Sequence, residues 1–325
     1  MSKPTRIPAF ARAHEAAPQV ARRVIKQRVR AAVQYWEQVA KRDEPRVEDI
    51  HQLRVWSRRA IAAVQLFAPF LDPEPAAELT RILNKARKQA GKARDCDVLL
   101  KTLDKSERSL LRDALDVLRK HREKSAAKLR KAYRKQVRTG NLRDYSRELQ
   151  KSPASTAKQN GKAPPSVEFG PWFQQQLVAV TAVFSKDLKI AKPVARRIHP
   201  LRIEGKRVRY ALEIGLASLP KQTGQQLYAS LEALQEQLGQ ICDDQALAEQ
   251  YRELAKHLNP AQRGKLTAAA ARHERQAQEG SKQFARWWRS PSGRKKLLQR
   301  LTAASSPPAA KVARRATKLQ RRKSE

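Results

Sequence analysis

Apolar positions along this chain recur every three to four residues and scarcely ever alternate, which is the period of helices with one buried face. Val20, Val24, Val29, Val33 and Trp36 give such a face to a stretch from about Glu15 to Lys41, ended by Asp43-Glu44-Pro45. Leu53, Ala60, Val64 and Phe67 give one to a second helix that stops near Phe70, where Asp72-Pro73-Glu74-Pro75 makes a turn and Pro75 suits the first turn of the next. The third helix is expected to reach about Arg94, with Asp97 placed to cap a fourth through about Val137. A second set starts with Trp172 to Leu188 and continues with a helix from His199 and another over Gln225 to Leu238. A further helix runs from Asp243-Asp244 through Leu258, and a last one from Asn259-Pro260 toward Trp287-Trp288. Gly is scarce and Ala, Leu, Arg, Lys, Gln and Glu dominate, so the fold class is all-α.

The polar half of the second helix is less ordinary. Ile50-His51-Gln52-Leu53-Arg54-Val55-Trp56-Ser57-Arg58-Arg59 is echoed by Ile198-His199-Pro200-Leu201-Arg202-Ile203-Glu204-Gly205-Lys206-Arg207, a shift of 148 residues (199 minus 51). At about 100° per residue, His51, Arg54 and Arg58 fall within about 60° of one another and face away from Leu53, Ala60, Val64 and Phe67. His199, Arg202 and Lys206 repeat the stripe, opposite Leu201, Val208, Ala211 and Leu212. The same shift relates Gly91 to Gly239 and Asp95 to Asp243, so the whole unit reads as duplicated. Arg81, Lys85, Lys88 and Lys92 add a basic stripe on the third helix, but their counterparts are Ala229, Ala233, Glu236 and Gln240. A binding surface built from these stripes is expected to be lopsided toward the first half.

Composition then divides the chain. Residues 151–166 (KSPASTAKQNGKAPPS) are small, polar and Pro-rich, which predicts a flexible linker between a first half, 16–150, and a second, 167–302. An N-terminal extension, 1–15, precedes them. Residues 303–325 follow as a basic disordered tail; from Gly280 onward Glu325 is the only acid.

Lys and Arg total 69 against 31 acids, for a formal charge of +38, where solubility asks for about 2 to 8. Such an excess implies a polyanionic partner: nucleic acid, an anionic membrane surface or polyphosphate. No segment approaches the ~18 consecutive apolar residues of a membrane span, and Pro4 and Pro8 sit where a secretory signal would be apolar, so no membrane insertion and a cytoplasmic location are expected. Cys96 and Cys242 have no paired spacing, and neither a disulfide framework nor a thiolate metal site is expected.

A charged helix face is ordinarily a solvated one. Two such faces set against each other are different: like charges ~6 Å apart repel by roughly 3 kcal/mol per pair at an effective dielectric near 20. A purely structural role would not retain that. Trp36, Trp56 and Trp172 read as core. Trp287-Trp288, flanked by Arg286 and Arg289, is the one place for base stacking or membrane-surface contact, with core packing preferred. His14, His121, His257 and His273 fit no motif and read as surface residues. Asp95, Asp97, Asp243 and Asp244 bring a metal-dependent phosphohydrolase to mind, but the paired-His spacings of such sites are absent, and capping or orienting neighbouring Arg is preferred. No metal, cofactor or catalytic residue is expected.

His51-x-Leu53-Arg54-Val55-x-x-Arg58-Arg59, then Gly91-x-x-Arg94-Asp95-x-Asp97-Val98, and His199-x-Leu201-Arg202-x-x-x-Lys206-Arg207-x-Arg209-Tyr210 together resemble the two halves of the conserved histidine α-helical domain (CHAD) family, over about Ala16 to Leu258. The resemblance implies two pseudo-symmetric helical bundles with a basic groove or pore between them that binds inorganic polyphosphate, without catalysis. It also implies association with polyphosphate granules. The binding residues that the basic stripes and the resemblance together point to are His51, Arg54, Arg58, Arg59, Arg81, Lys85, Lys88, Lys92, Arg94, His199, Arg202, Lys206, Arg207 and Arg209. Pro200 departs from the family pattern and predicts a helix start near His199, where phosphate is favoured. The alternatives are a general nucleic-acid binder, the phosphohydrolase, and recruitment in which the tail meets nucleic acid.

Overall fold

The structure, a computed structural model, describes residues 11–103, 111–140, 144, 147–148, 167–190 and 197–305. The expected linker, 151–166, and the tail beyond Ser305 lie outside the described residues. So does most of the N-terminal extension.

Among the described residues the chain forms nine α-helices and no strand beyond one isolated bridge, Ala16 to Glu168. They are α1 (Ala17–Lys41), α2 (Val47–Leu66), α3 (Pro73–Thr102), α4 (Arg112–Thr139), α5 (Phe169–Leu188), α6 (Ile198–Gly215), α7 (Lys221–Ala255), α8 (Pro260–Arg289) and α9 (Lys296–Ser305). The all-α expectation holds because the 3.6-residue period is real. Val20, Val24, Ile25, Val29, Ala32 and Trp36 of α1 are all buried, as are Ile50, Leu53, Ala60, Ile61 and Val64 of α2. Local chemistry sets several ends. Asp72 accepts the amide of Glu74 before Pro73 opens α3, Asn259 accepts that of Gln262 before Pro260 opens α8, and Gly140 takes φ 69° just past α4, where a side chain would be strained.

Two boundaries differ from the expectation. The third helix does not stop near Arg94, and Asp97 caps nothing: α3 runs on to Thr102 with Asp97 buried inside it, accepting a hydrogen bond from Arg122 Nε at 2.5 Å. Likewise α7 is one 35-residue helix rather than two separated near Asp243. In both, a glycine, Gly91 or Gly239, lies mid-helix under an arginine of a neighbouring helix. Interior Gly is tolerated when tertiary contact outweighs its ~1 kcal/mol propensity cost.

Helices α1 to α4 pack together, α1 against α2 and α4, and α3 against both α2 and α4. In the second set α5 and α7 both pack against α6 and against α9, while α8 lies along α7. One apolar core runs through both sets, joined where Phe67 stacks on Trp172 at 5.3 Å with Phe70, Phe169 and Phe173 around them. A second core gathers Leu99, Leu103, Leu111 and Leu115, in or next to α3 and α4, with Leu247, Tyr251, Leu254 and Leu266 from α7 and α8. The two halves thus touch through α2–α6 and α3–α7. Trp36 and Trp172 are core as expected, and Trp288 is buried with its Nε1 donating to the Ile190 carbonyl at 3.0 Å. His273 is not a plain surface residue. Its Nδ1 lies 2.8 Å from Asp244 Oδ1 and its ring stacks on Tyr251, fixing α8 to α7.

Candidate functional site

Where the first core gives way to the second along α3 and α7, the polar faces of four helices meet around a cavity of about 280 Å³. α2 supplies His51, Arg54, Val55 and Arg58; α3 supplies Arg94, Asp95 and Val98; α6 supplies Arg202 and Lys206; α7 supplies Asp243, Ala246, Leu247 and Gln250. Amphipathicity explains this convergence: each helix turns its apolar stripe to a core, and the His/Arg/Lys stripe of α2 and of α6 is what remains for the space between.

Two arginines are held in matching fashion. Arg54 lies across α3 at Gly91, so closely that a Cβ there would run into its guanidinium. Its counterpart 148 residues on, Arg202, lies near Gly239 of α7, where a Cβ would meet Nη2 at 3.7 Å. Arg202 Nη2 also donates to Asp243 Oδ1 at 3.0 Å, while Gln235 Nε2 donates to the Arg202 carbonyl at 3.2 Å. Arg202 Nε is buried and has no hydrogen-bond partner among the described residues.

Five cations, Arg54, Arg58, Arg94, Arg202 and Lys206, face only two acids, Asp95 and Asp243. The electrostatic consequence falls on several of these groups. Burial, reinforced by Arg202 and Arg58, drives the Lys206 amine down to about 7, with Asp243 opposing. Burial, then Arg58, lowers Arg54 to about 10, and His51 is lowered by burial and by Arg94. Asp95 is raised by burial against the pull of Arg54 and Arg94. Each shift of a base has the same sign: the cavity disfavours its own positive charge, and an anion entering it would relieve that.

Of the residues anticipated from sequence, the structure brings His51, Arg54, Arg58, Arg94, Arg202 and Lys206 together. The others lie elsewhere. Arg81, Lys85, Lys88 and Lys92 share one exposed face of α3, turned roughly 100° away from the cavity face, and Arg81 pairs with Glu78. His199 stands exposed in the first turn of α6, which begins at Ile198 as Pro200 suggested. Arg207 is exposed, 3.8 Å from Glu204.

Arg59 and Arg209 are engaged by Glu213, which is 3% exposed. Arg59 grips it through Nε at 2.9 Å and Nη2 at 3.3 Å, Arg209 Nη1 stands 3.4 Å away, and buried Arg28 of α1 approaches at 3.7 Å while donating to the Arg59 carbonyl at 3.0 Å. One carboxylate therefore gathers α1, α2 and α6 beside the cavity. Sequence reasoning missed this hub, although both ends leave a trace: Arg28 interrupts the apolar face of α1, and Glu213 interrupts Tyr210-Ala211-Leu212 before Ile214. It also missed Arg87, half-buried near Arg58 and donating to Asn84 Oδ1 at 3.1 Å. Arg87 belongs to the cavity side of α3, one step around from the exposed stripe.

Among the described residues no three His, Cys, Asp or Glu side chains converge as a metal site would require, and no helix is long and apolar enough to cross a membrane. Cys96 and Cys242 are separate buried thiols.

This geometry can be set beside known proteins. No curated protein sequence matches the chain. Solved structures that share its fold include the crystal structure of the CHAD domain from the plant Ricinus communis, with TM-score 0.64 and 20% identity over 93% of this chain and 98% of that one, and PptA from Streptomyces chartreusis, with TM-score 0.59 and 13% identity over 85% and 100%. The family model of the CHAD domain matches residues 23–252, a span that takes in every residue lining the cavity. The chain belongs to the CHAD domain family.

Proposed function

We propose that this protein binds inorganic polyphosphate in the cavity between α2, α3, α6 and α7, as a binding module without catalysis. The observation that carries the reading is the charge of that cavity: five cations from three helices against two acids, with Lys206 and Arg54 already lowered by burial and by their neighbours. A linear polyphosphate presents about one negative charge per phosphate and no bases. It is matched by fixed guanidiniums that can contact phosphate oxygens in pairs, and it needs no aromatic platform. Membership of the CHAD family supports the same ligand, and attachment to polyphosphate granules would follow from it.

The duplication supports a two-sided site. Arg54 over Gly91 and Arg202 near Gly239 place one guanidinium from each half at equivalent positions, so a phosphate chain between them would be held from both sides. Arg58, Arg94 and Lys206 extend the contact, with His51 as a hydrogen-bond donor. Arg59 and Arg209 then act by positioning rather than by contact, because Glu213 already occupies them.

Calorimetry against long-chain polyphosphate and against single-stranded DNA at physiological salt tests the reading. Polyphosphate is expected to bind more tightly, with affinity falling by about 0.7 log units per log unit of salt for each charge neutralised, as for single strands. Equal affinity for the two polymers would favour a general nucleic-acid binder. Release of phosphate from polyphosphate on adding magnesium or manganese would overturn the non-catalytic assignment.

A further inference from the structure

One amine stands among the guanidiniums of the cavity. Lys206 comes from the middle of α6, is half-buried, and meets Arg202 and Arg209 of its own helix, Arg58 of α2 and Asp243 of α7. Across the cavity stand His51 and Arg54 of α2 with Arg94 and Asp95 of α3. A guanidinium is a poor nucleophile; an amine that has lost its proton is a good one. Here that amine shares one small, partly open cavity with groups suited to hold a phosphate.

We infer that Lys206 is a modification site, acylated by small acyl phosphates whose phosphate group is held by the arginines of the same cavity. The inference rests on the anion-binding reading above and adds a covalent step to it. The Nζ lone pair attacks the acyl carbon, and the bond from that carbon to the bridging phosphate oxygen breaks. Orthophosphate departs with the electron pair, the nitrogen loses its proton to solvent, and an amide remains. Nothing is oxidised or reduced. Arg54, Arg58 and Arg202 would neutralise the departing phosphate, which carries its greatest charge as it leaves.

The surroundings of Lys206 favour this step at neutral pH. Burial and the neighbouring arginines bring its amine from 10.5 to about 7. About half of it is then free base at pH 7, against roughly one part in three thousand for an ordinary lysine. A Brønsted coefficient of about 0.5, as for thiol nucleophiles, removes part of that advantage. For the empty cavity the net acceleration over an ordinary lysine is on the order of ten- to thirty-fold; a docked phosphate returns part of the proton and offsets that loss by holding the acyl carbon beside the amine. The product is uncharged, so acylation removes one of the five cavity cations and would weaken polyanion binding. Acyl phosphate supply would thereby set how much of the protein can hold polyphosphate.

The test is a time course of the full chain with acetyl phosphate at pH 7.5, read by peptide mass spectrometry. Lys206 is expected to be acetylated at least about ten-fold faster than the exposed Lys85, Lys88 and Lys92 of α3 in the same sample, and pyrophosphate should slow Lys206 alone. Equal rates would overturn the inference. A parallel course with p-nitrophenyl acetate, which has no phosphate to dock, should show a smaller preference for Lys206; an undiminished one would overturn the docking part. Calorimetry of the untreated protein separates the two claims. Polyphosphate binding without preferential acetylation overturns the lysine assignment alone, whereas absence of both polyphosphate binding and pyrophosphate protection overturns the cavity reading as well.

Discussion

The guanidinium of Arg54 lies against the bare Cα of Gly91, in space that any other residue's Cβ would occupy. A glycine in the middle of a 30-residue helix is thus explained by what crosses it rather than by a bend. Gly91→Ala should leave α3 intact, since Ala is the better helix former by up to about 1 kcal/mol, and push the flexible end of Arg54 aside. Unfolding temperature is expected to hold or rise while polyphosphate affinity falls about ten-fold. Gly239→Ala should raise the unfolding temperature at least as much and leave affinity nearly unchanged, because a Cβ there meets Arg202 at an ordinary 3.7 Å. Calorimetric binding and thermal unfolding of the two variants check the contrast.

The cavity cations and the exposed α3 stripe make separable contributions. Replacing Arg54, Arg58, Arg202 and Lys206 together by neutral residues should abolish polyphosphate binding with the circular dichroism spectrum unchanged. Replacing Arg81, Lys85, Lys88 and Lys92 should reduce the salt dependence and cost much less affinity, because those side chains are exposed and lie outside the cavity. The opposite ranking would move the binding surface onto the outer face of α3.

Affinity should depend on pH near neutrality. Lys206 in the free protein titrates at about 7, and a bound anion draws its proton back, so binding takes up a proton and weakens as pH rises through 7. His51, lowered by burial and Arg94, adds a further gain as pH falls below 6.5. Lys206→Met should remove the upper step and leave the lower one. Stability of the free protein runs the other way. The unfolded chain keeps this proton up to about 10.5, so the Lys206 contribution raises stability between pH 7 and 10.5, which thermal unfolding across that window would show.

Glu213→Gln should be strongly destabilising. It leaves Arg28, 1% exposed, together with Arg59 and Arg209 around an uncharged amide, and breaking a buried ion pair on one side costs about 3 to 5 kcal/mol. Urea unfolding would measure it. Arg28→Met in the same chain should recover part of the loss, since it removes the most deeply buried of the three cations around that position.

Much of this protein is written in its sequence through local rules. The 3.6-residue period of Val20, Val24 and Val29, or of Leu53, Ala60 and Val64, determines helices because burying one stripe is the dominant gain each segment has available. The 148-residue echo of His51, Arg54 and Arg58 in His199, Arg202 and Lys206 is likewise enough to indicate a duplicated cationic face. Which cations share a space was settled by tertiary packing. Arg81, Lys85, Lys88 and Lys92 have the same spacing as a binding stripe, yet the rotation of α3 that buries Leu79, Leu83, Ala86 and Ala90 turns them to solvent and turns Arg94 inward. Arg59 and Arg209 look like their neighbours in sequence, and Glu213, 154 residues from Arg59, captures both. Spacing along a chain fixes which side of a helix a residue occupies. What that side meets depends on partners remote in sequence, so only the packed fold shows that His51, Arg54 and Arg58 face Arg202 and Lys206 across one cavity.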